Sequence, residues 1–242
     1  MQTITAANCP TTRTRARDER DGATYWVRKV GSLCWMETNL AYAGGGTNTY
    51  GDVTPAITEN NSNVGLGAPY GIPTRHTPSG SNRTAGTNNP STSTTGIGQY
   101  GYLYNWCAAM NGQAAACQGT EATQPNQGVN GGTSTTLYNI CPKGWRLPTG
   151  GSGGEFTALN NAINGGSTTS SSGLRTNGLF MYSGNWDYGF FDRGSAGSYW
   201  SSTIYGIMNR TAAHGLYFDA SNVYPAGGNG KPAGNAVRCV AP

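Results

Sequence analysis

The chain has 242 residues, of which only 11% are charged and 38 are glycine, and it carries a formal net charge of +4. Against a usual charged share of about 25%, this composition excludes a helical bundle and points to strands, turns and loops. The basic residues are scattered, which excludes the concentrated basic face of a nucleic-acid reader, and no stretch reaches the roughly 18 apolar residues of a membrane span.

From the N-terminus, residues 1–8 are expected to form a short helix. The densest charge cluster follows, with Arg13, Arg15, Arg17 and Arg20 interleaved with Asp18, Glu19 and Asp21. It reads as a solvated segment. Asp21-Gly22 is a turn signal that leads into Ala23-Thr24-Tyr25-Trp26-Val27-Arg28-Lys29-Val30, and Cys34-Trp35-Met36 follows Gly31-Ser32, so a β-hairpin with aromatic cross-strand contacts is predicted. Between about 43 and 98 the composition shifts to Gly, Thr, Asn, Ser and Pro. That stretch is a surface insertion, ordered or partly disordered, with little apolar material to bury.

Order resumes at Tyr100-Gly101-Tyr102-Leu103-Tyr104-Asn105-Trp106, an aromatic run suited to a core. A polar loop over 118–136 then precedes Cys141-Pro142-Lys143-Gly144-Trp145-Arg146-Leu147-Pro148-Thr149. Phe156, Leu159 and Ile163 recur at helical spacing, with Gly165 as the stop. Downstream the chain reads as short strands, at 200–203, 215–218 and 236–240, separated by long loops at 183–192, 204–215 and 227–235. The mixed aromatic, small and amide residues of those loops follow neither a helical nor a strand period. With no internal repeat and no composition break, the simplest organisation is a single α+β domain over 1–242.

Six cysteines, Cys9, Cys34, Cys107, Cys117, Cys141 and Cys239, contain no Cys-x-x-Cys, and only His76 and His214 could complete a zinc set. Disulfides are the better reading, although six cysteines permit about 15 pairings and the alternative is six buried thiols. The expected pairing is Cys9–Cys34, Cys107–Cys117 and Cys141–Cys239. Persistent disulfides imply an oxidising compartment. Met1-Gln2-Thr3-Ile4-Thr5 has neither the charged nor the apolar region of an export signal, so that signal is expected to have been removed or to lie upstream.

The ordered words Asp21-Gly22, Tyr25, Cys34-Trp35-Met36, Asn39-Leu40, Tyr102, Tyr104-Asn105-Trp106, Cys141-Pro142, Gly144-Trp145, Leu147-Pro148, Glu155-Phe156, Leu159, Tyr199-Trp200-Ser201-Ser202 and Val237-Arg238-Cys239-Val240 resemble the FISUMP family, the Fibrobacter succinogenes major paralogous domain. The resemblance implies a C-type-lectin-like fold related to the formylglycine-generating-enzyme group, with short twisted antiparallel strands, one or two helices and long loops, stapled by disulfides. It also implies an extracellular or cell-surface bacterial protein.

Members of that group include the variable proteins of diversity-generating retroelements, in which adenine-directed mutagenesis randomises a C-terminal coding stretch. The tail over about 180–236 resembles such a stretch, because fixed-looking words alternate with unpatterned segments. An Asn codon randomised at its adenines cannot give Met, Lys or Trp. On that logic the candidate variable, ligand-binding positions are Asn185, Asp187, Tyr188, Phe190, Tyr205, Ile207, Asn209, Ala212, His214, Asn229, Gly230, Pro232, Ala233 and Asn235, while Trp186, Met208 and Lys231 belong to the scaffold. Trp186 is nonetheless expected to lend apolar area to the contact surface beside Tyr188, Phe190 and Tyr205.

The expected partner is a protein or glycan on another surface, with no cofactor, no nucleic acid and no membrane insertion, and the chain is expected to act as a monomer. A fixed-specificity adhesin or pilus-associated protein of the same fold is the alternative, and a formylglycine-generating-type enzyme the third. No catalytic residue is assigned. The two histidines offer no base beside a nucleophile, and Asp187 with Asp192 reads as two solvated acids rather than a glycosidic pair. Gln124-Pro125-Asn126 and Asn185-Trp186-Asp187 have the wrong order and spacing for a calcium-dependent lectin site, so no metal is expected.

Overall fold

The computed structural model describes residues 7–44, 46–47, 53–54, 57–59, 73–76, 101–118, 123–130, 138–176, 180–187, 189–206 and 211–242. The helix expected over 1–8 falls mostly outside these residues. The structure is mixed and mostly strand, held by three disulfides in the expected pairing of Cys9 with Cys34, Cys107 with Cys117, and Cys141 with Cys239.

The first sheet contains β1 (Thr14–Arg17), β2 (Thr24–Val30), β3 (Leu33–Met36) and, far along the chain, β14 (Val240–Ala241), in the order β1-β2-β3-β14. The predicted hairpin is β2–β3, in which Val30 faces Leu33 across Gly31-Ser32. Gly31 takes a φ of 60°, a left-handed turn that suits glycine. Most of the charge cluster before this hairpin is solvated as expected, with Arg13, Arg15, Arg17, Glu19 and Asp21 exposed, but Asp18 and the Arg20 side chain turn inward. Arg20 chelates Asp18 and donates to the Ile140 carbonyl at 2.7 Å, with the two side chains only 4% and 0% exposed. Glu37 is buried between Arg13 and Arg28. Each of these inward-facing acids is met by an arginine, which offsets its desolvation.

Within the 43–98 stretch, β4 (Gly46–Thr47) pairs with β5 (Val53–Thr54), and β6 (Thr58–Glu59) pairs with β7 (Thr74–His76). β7 in turn pairs with β8 (Leu103–Tyr104), so part of the expected surface insertion is built into a sheet, and His76 is only 2% exposed. Asn105 caps the short helix α1 (Trp106–Ala109) by accepting from the Ala108 N–H at 2.9 Å. The predicted helix is α2 (Glu155–Asn164), with Phe156 and Leu159 buried and Gly165 left-handed at its end. Glu155 fixes its start by accepting from the Thr149 N–H and from Arg146. α3 (Ser172–Thr176) follows and buries Leu174.

The C-terminal third departs from the expected short strands and long loops. After a two-stranded hairpin of β9 (Asn185–Trp186) and β10 (Phe190–Phe191) come three long strands, β11 (Ala196–Tyr205), β12 (Ala212–Asp219) and β13 (Val223–Gly230), paired in that order. Much of the expected 204–215 and 227–235 loops is therefore strand. The strand expected over 236–240 shortens to Val240–Ala241, because residues 237–239 bend to bond Leu40 and Met36.

β11 divides the interior by strand alternation. Trp200 joins Trp106, Trp145, Met36 and Tyr25 in one cluster, while Tyr199 joins Trp35, Phe156, Phe180 and Phe218 in another. Trp106 Nε1 donates to the Ser201 carbonyl at 2.8 Å and Trp200 Nε1 to the Tyr104 carbonyl at 2.6 Å, so both indoles are buried without an orphaned donor. Arg238, 0% exposed, spans the join, bonding Asn39 and the Met36 carbonyl with its guanidinium over Phe180 and Tyr199.

Candidate functional site

Residues directly opposite one another in a sheet share a face. The register sets Ser198 opposite Tyr217 and Tyr217 opposite Tyr224, a polar row across all three strands of β11, β12 and β13. Leu216 and Phe218, the neighbours of Tyr217, turn into the interior. Next along the sheet, Gly215 lies opposite Gly227 and His214 opposite Gly228. Gly215 and Gly227 share the face of Tyr217 and carry no side chains, so that face is hollowed, whereas His214 and Gly228 belong to the other face, where a Cβ on Gly228 would meet the Tyr205 ring at 2.8 Å. A Cβ on Gly215 would meet the Tyr199 carbonyl oxygen at 2.5 Å, so this glycine is also required for strand contact.

The β9–β10 hairpin walls the hollow. Gly184 (φ 68°) lets the chain enter the hairpin where a Cβ would strike the Phe191 carbonyl. Trp186 points inward, 4% exposed, stacked on His76 with ring centroids 4.4 Å apart, and its backbone exchanges hydrogen bonds with Gly234. Alternation then leaves Asn185 on the other side. Asp192 adopts a left-handed φ of 57°, its carbonyl accepting from the Ser195 and Ala196 N–H groups and from the Ser195 hydroxyl. Asp192 is an exposed residue that lines the recess, its charge felt by Tyr217.

The result is a recess of about 340 Å³. Asn185 and Asp192 form one side of it, Ser198, Tyr217 and Tyr224 another, and Asn229 and Asn235 a third, over the glycine floor. Tyr217 and Tyr224 present a tilted pair of rings 6.0 Å apart, and Tyr224 is 53% exposed. Desolvation, then the nearby Asp219 and Asp192 carboxylates, push the Tyr217 phenol above its usual pKa and keep it a donor. The Ser221 N–H and the Asn222 side chain hold Asp219 itself low.

The amides at the back are oriented by a chain of bonds. Asn229 Oδ1 accepts from the Gly230 N–H at 2.8 Å, so its Nδ2 is the end that donates, at 3.2 Å, to Asn235 Oδ1. The Nδ2 of Asn235 makes no hydrogen bond among the described residues, on a residue that is 2% exposed. Its backbone is fixed by two hydrogen bonds with Tyr104, so that donor has a set place in the recess.

Of the candidate positions, the fold gathers Asn185, Asn229 and Asn235 in one recess. Asp187 and Phe190 sit half-buried on the hairpin, and burial raises the pKa of the Asp187 carboxyl. Tyr205 and His214 meet edge to face at 4.7 Å, with His214 Nδ1 also 3.1 Å from the Ala226 carbonyl. Gly230 and Pro232 are half-buried. Tyr188, Ile207 and Asn209 lie outside the described residues. Ala212 (0% exposed) and Ala233 (2%) are corrected: their side chains are interior and cannot display anything. Trp186, expected to add apolar contact area, is interior as well.

The reading missed Ser198, Tyr217 and Tyr224, and placed Asp192 only as a solvated acid. The period of two in Leu216-Tyr217-Phe218 was the available signal. Among the described residues no group of three or more His, Cys, Asp or Glu could hold a metal, and no cysteine is free. The described residues of the recess supply one carboxylate and no histidine, an arrangement that can bind hydroxyls and amides.

No curated protein and no solved structure matches the chain. The family model for the Fibrobacter succinogenes major domain matches residues 29–178, which contain the β2–β3 hairpin from Lys29, α1 and α2, and stop short of the recess. The chain therefore belongs to the Fibrobacter succinogenes major domain family.

Proposed function

We propose that this chain is a ligand-binding domain of a bacterial extracellular or cell-surface protein, of C-type-lectin-like fold, and that it binds through the recess on the β11–β12–β13 sheet and its hairpin wall. The observation that carries this reading is the recess itself. Polar and aromatic side chains converge on a glycine floor, held in place by a frame that does not depend on them. Three disulfides fit export to an oxidising compartment. The rim residues around the recess, Asn185, Asp187, Phe190 and Asn229 among them, are the positions a diversity-generating retroelement would exchange.

A second reading, a fixed-specificity adhesin, is favoured by the burial of Ala212, Ala233 and Asn235. Exchange at buried positions disturbs packing, so only part of the candidate set suits randomisation. Sequencing the neighbouring DNA separates the two. A near-repeat of the 3′ coding end that differs only at adenines supports diversification, and its absence supports the adhesin.

The site is tested by screening the immobilised domain against glycan and surface-protein arrays, beside a Gly227→Val variant that narrows the recess next to Tyr224. Binding that disappears in the variant, at an unchanged melting temperature, supports the reading. Captured ligands indifferent to Gly227→Val overturn it.

A further inference from the structure

The chemistry of the recess also limits what can enter it. Among the described residues that line it, the only charged one is Asp192, and none is Lys, Arg or His. An anionic ligand would meet that carboxylate with no cation to offset it. The groups on offer are an unpaired amide donor from Asn235, the whole amide of Asn185, which makes no side-chain hydrogen bond among the described residues, and the hydroxyls of Ser198, Tyr217 and Tyr224. The Tyr217 and Tyr224 hydroxyls reach Asp219 and Asn222 only at 3.5 Å, so both remain open to a better partner.

Donors and acceptors alternate within one small volume, and a hydroxyl, which donates one hydrogen bond and accepts two, is the group that satisfies such a lining. Beside them stands the exposed Tyr224 ring, an apolar plate with a polar tip. A ligand matching both features has hydroxyls around its edge and a flat C–H face. About 340 Å³ suits one or two sugar rings and is at the small end of ligand sites.

Building on the binding-face reading above, we infer that the recess binds a neutral saccharide, with one sugar ring lying on Tyr224 and its hydroxyls bonded to Asn235 Nδ2, the Asn185 amide and Asp192. The binding is reversible and involves no covalent step. Recognition of a hydroxyl-rich ring needs no metal here, because fixed amides and a carboxylate supply the directed bonds.

Isothermal titration and saturation-transfer NMR on the full chain test this. The probes are glucose, galactose, mannose, N-acetylglucosamine, lactose and maltose, with glucose 6-phosphate and sialic acid as the anionic arm, all in the presence of a chelator. At least one neutral sugar is expected to bind with a millimolar or lower Kd. Tyr224→Ala should weaken it about 10-fold while Tyr224→Phe, which keeps the ring, costs about 3-fold or less. Asn235→Asp removes the amide donor and should weaken binding about 10-fold. Asn185→Ala, at a side chain that makes no hydrogen bond among the described residues, gives the same direction if Asn235→Asp fails to fold.

Three outcomes overturn the inference: no neutral sugar binds, a bound sugar is indifferent to Tyr224→Ala and Asn185→Ala, or the anionic sugars bind more tightly. Should the arrays capture a protein whose binding Gly227→Val abolishes while every sugar fails, the saccharide falls and the binding face stands. Should a sugar bind elsewhere, both fall.

Discussion

Trp200 and Tyr224 belong to one three-stranded sheet, yet they live under opposite rules. Around Trp200 the sheet is enclosed: the indole is 0% exposed, bonded to the Tyr104 carbonyl, and packed with Trp106 and Trp145 behind the Cys141–Cys239 disulfide. Around Tyr224 the sheet is open: glycines replace side chains, the ring is half exposed, and the polar groups are only loosely paired. One sheet can thus be rigid at one end and chemically available at the other. Stability is concentrated where no ligand reaches, which leaves the exposed end free to be chosen for binding.

The sharpest way to break this contrast is to open the frame. Replacing Cys141 and Cys239 together by Ala releases a loop of 98 residues, for which the chain-entropy treatment gives about 4.7 kcal/mol, and chemical denaturation should show a loss of that order. Trp200→Ala should follow at about 3–5 kcal/mol, read by the same denaturation curves. Equal damage from Tyr224→Ala would end the distinction.

Gly215→Ala sharpens the comparison, because this residue lies on the open face but touches the frame. Its Cβ would press on the Tyr199 carbonyl, and a loss of about 1–3 kcal/mol in thermal melts is expected.

Alkaline pH probes the enclosed region through its buried tyrosines. Tyr104 donates to the Tyr42 carbonyl at 2.7 Å and Tyr25 accepts from the Ala41 N–H at 3.2 Å, and burial pushes both phenols well above their ordinary pKa. The unfolded chain therefore loses these protons first, near pH 10. Stability should be level with respect to these groups below that point and fall above it by about 1.4 kcal/mol per pH unit for each phenol. Tyr104→Phe should reduce the slope, which denaturation at a series of pH values reads. The smallest effects belong to the open face itself, where Asn185→Ala and Tyr224→Ala should each change stability by no more than about 0.5 kcal/mol.

Local pattern foretold those elements whose partners are near in sequence. The hairpin at Gly31-Ser32 and the helix ended by Gly165 each depend on a turn or cap that a few residues specify. The three disulfides also followed the expected pairing, although nothing local fixes a bridge across 98 residues. The candidate site was legible only in part. Asn185, Asn229 and Asn235 were picked out by residue type, whereas Ala212 and Ala233 were chosen by the same rule and turned out to be interior. A residue type says what a side chain can bond and nothing about which way its strand faces.

By itself the sequence determined the strand-rich, disulfide-stapled character of the protein, its membership words and the amide-rich tail, because composition, spacing and turn chemistry act over short distances. Only the tertiary structure decided that Asp18, Arg20 and Arg238 would be buried, that the tail would form a sheet, and that Asn235 would line one recess with Tyr224 and Asn185. Those outcomes depend on strand register and on bridges between residues far apart in the chain, where a shift of one position exchanges the inner face for the outer.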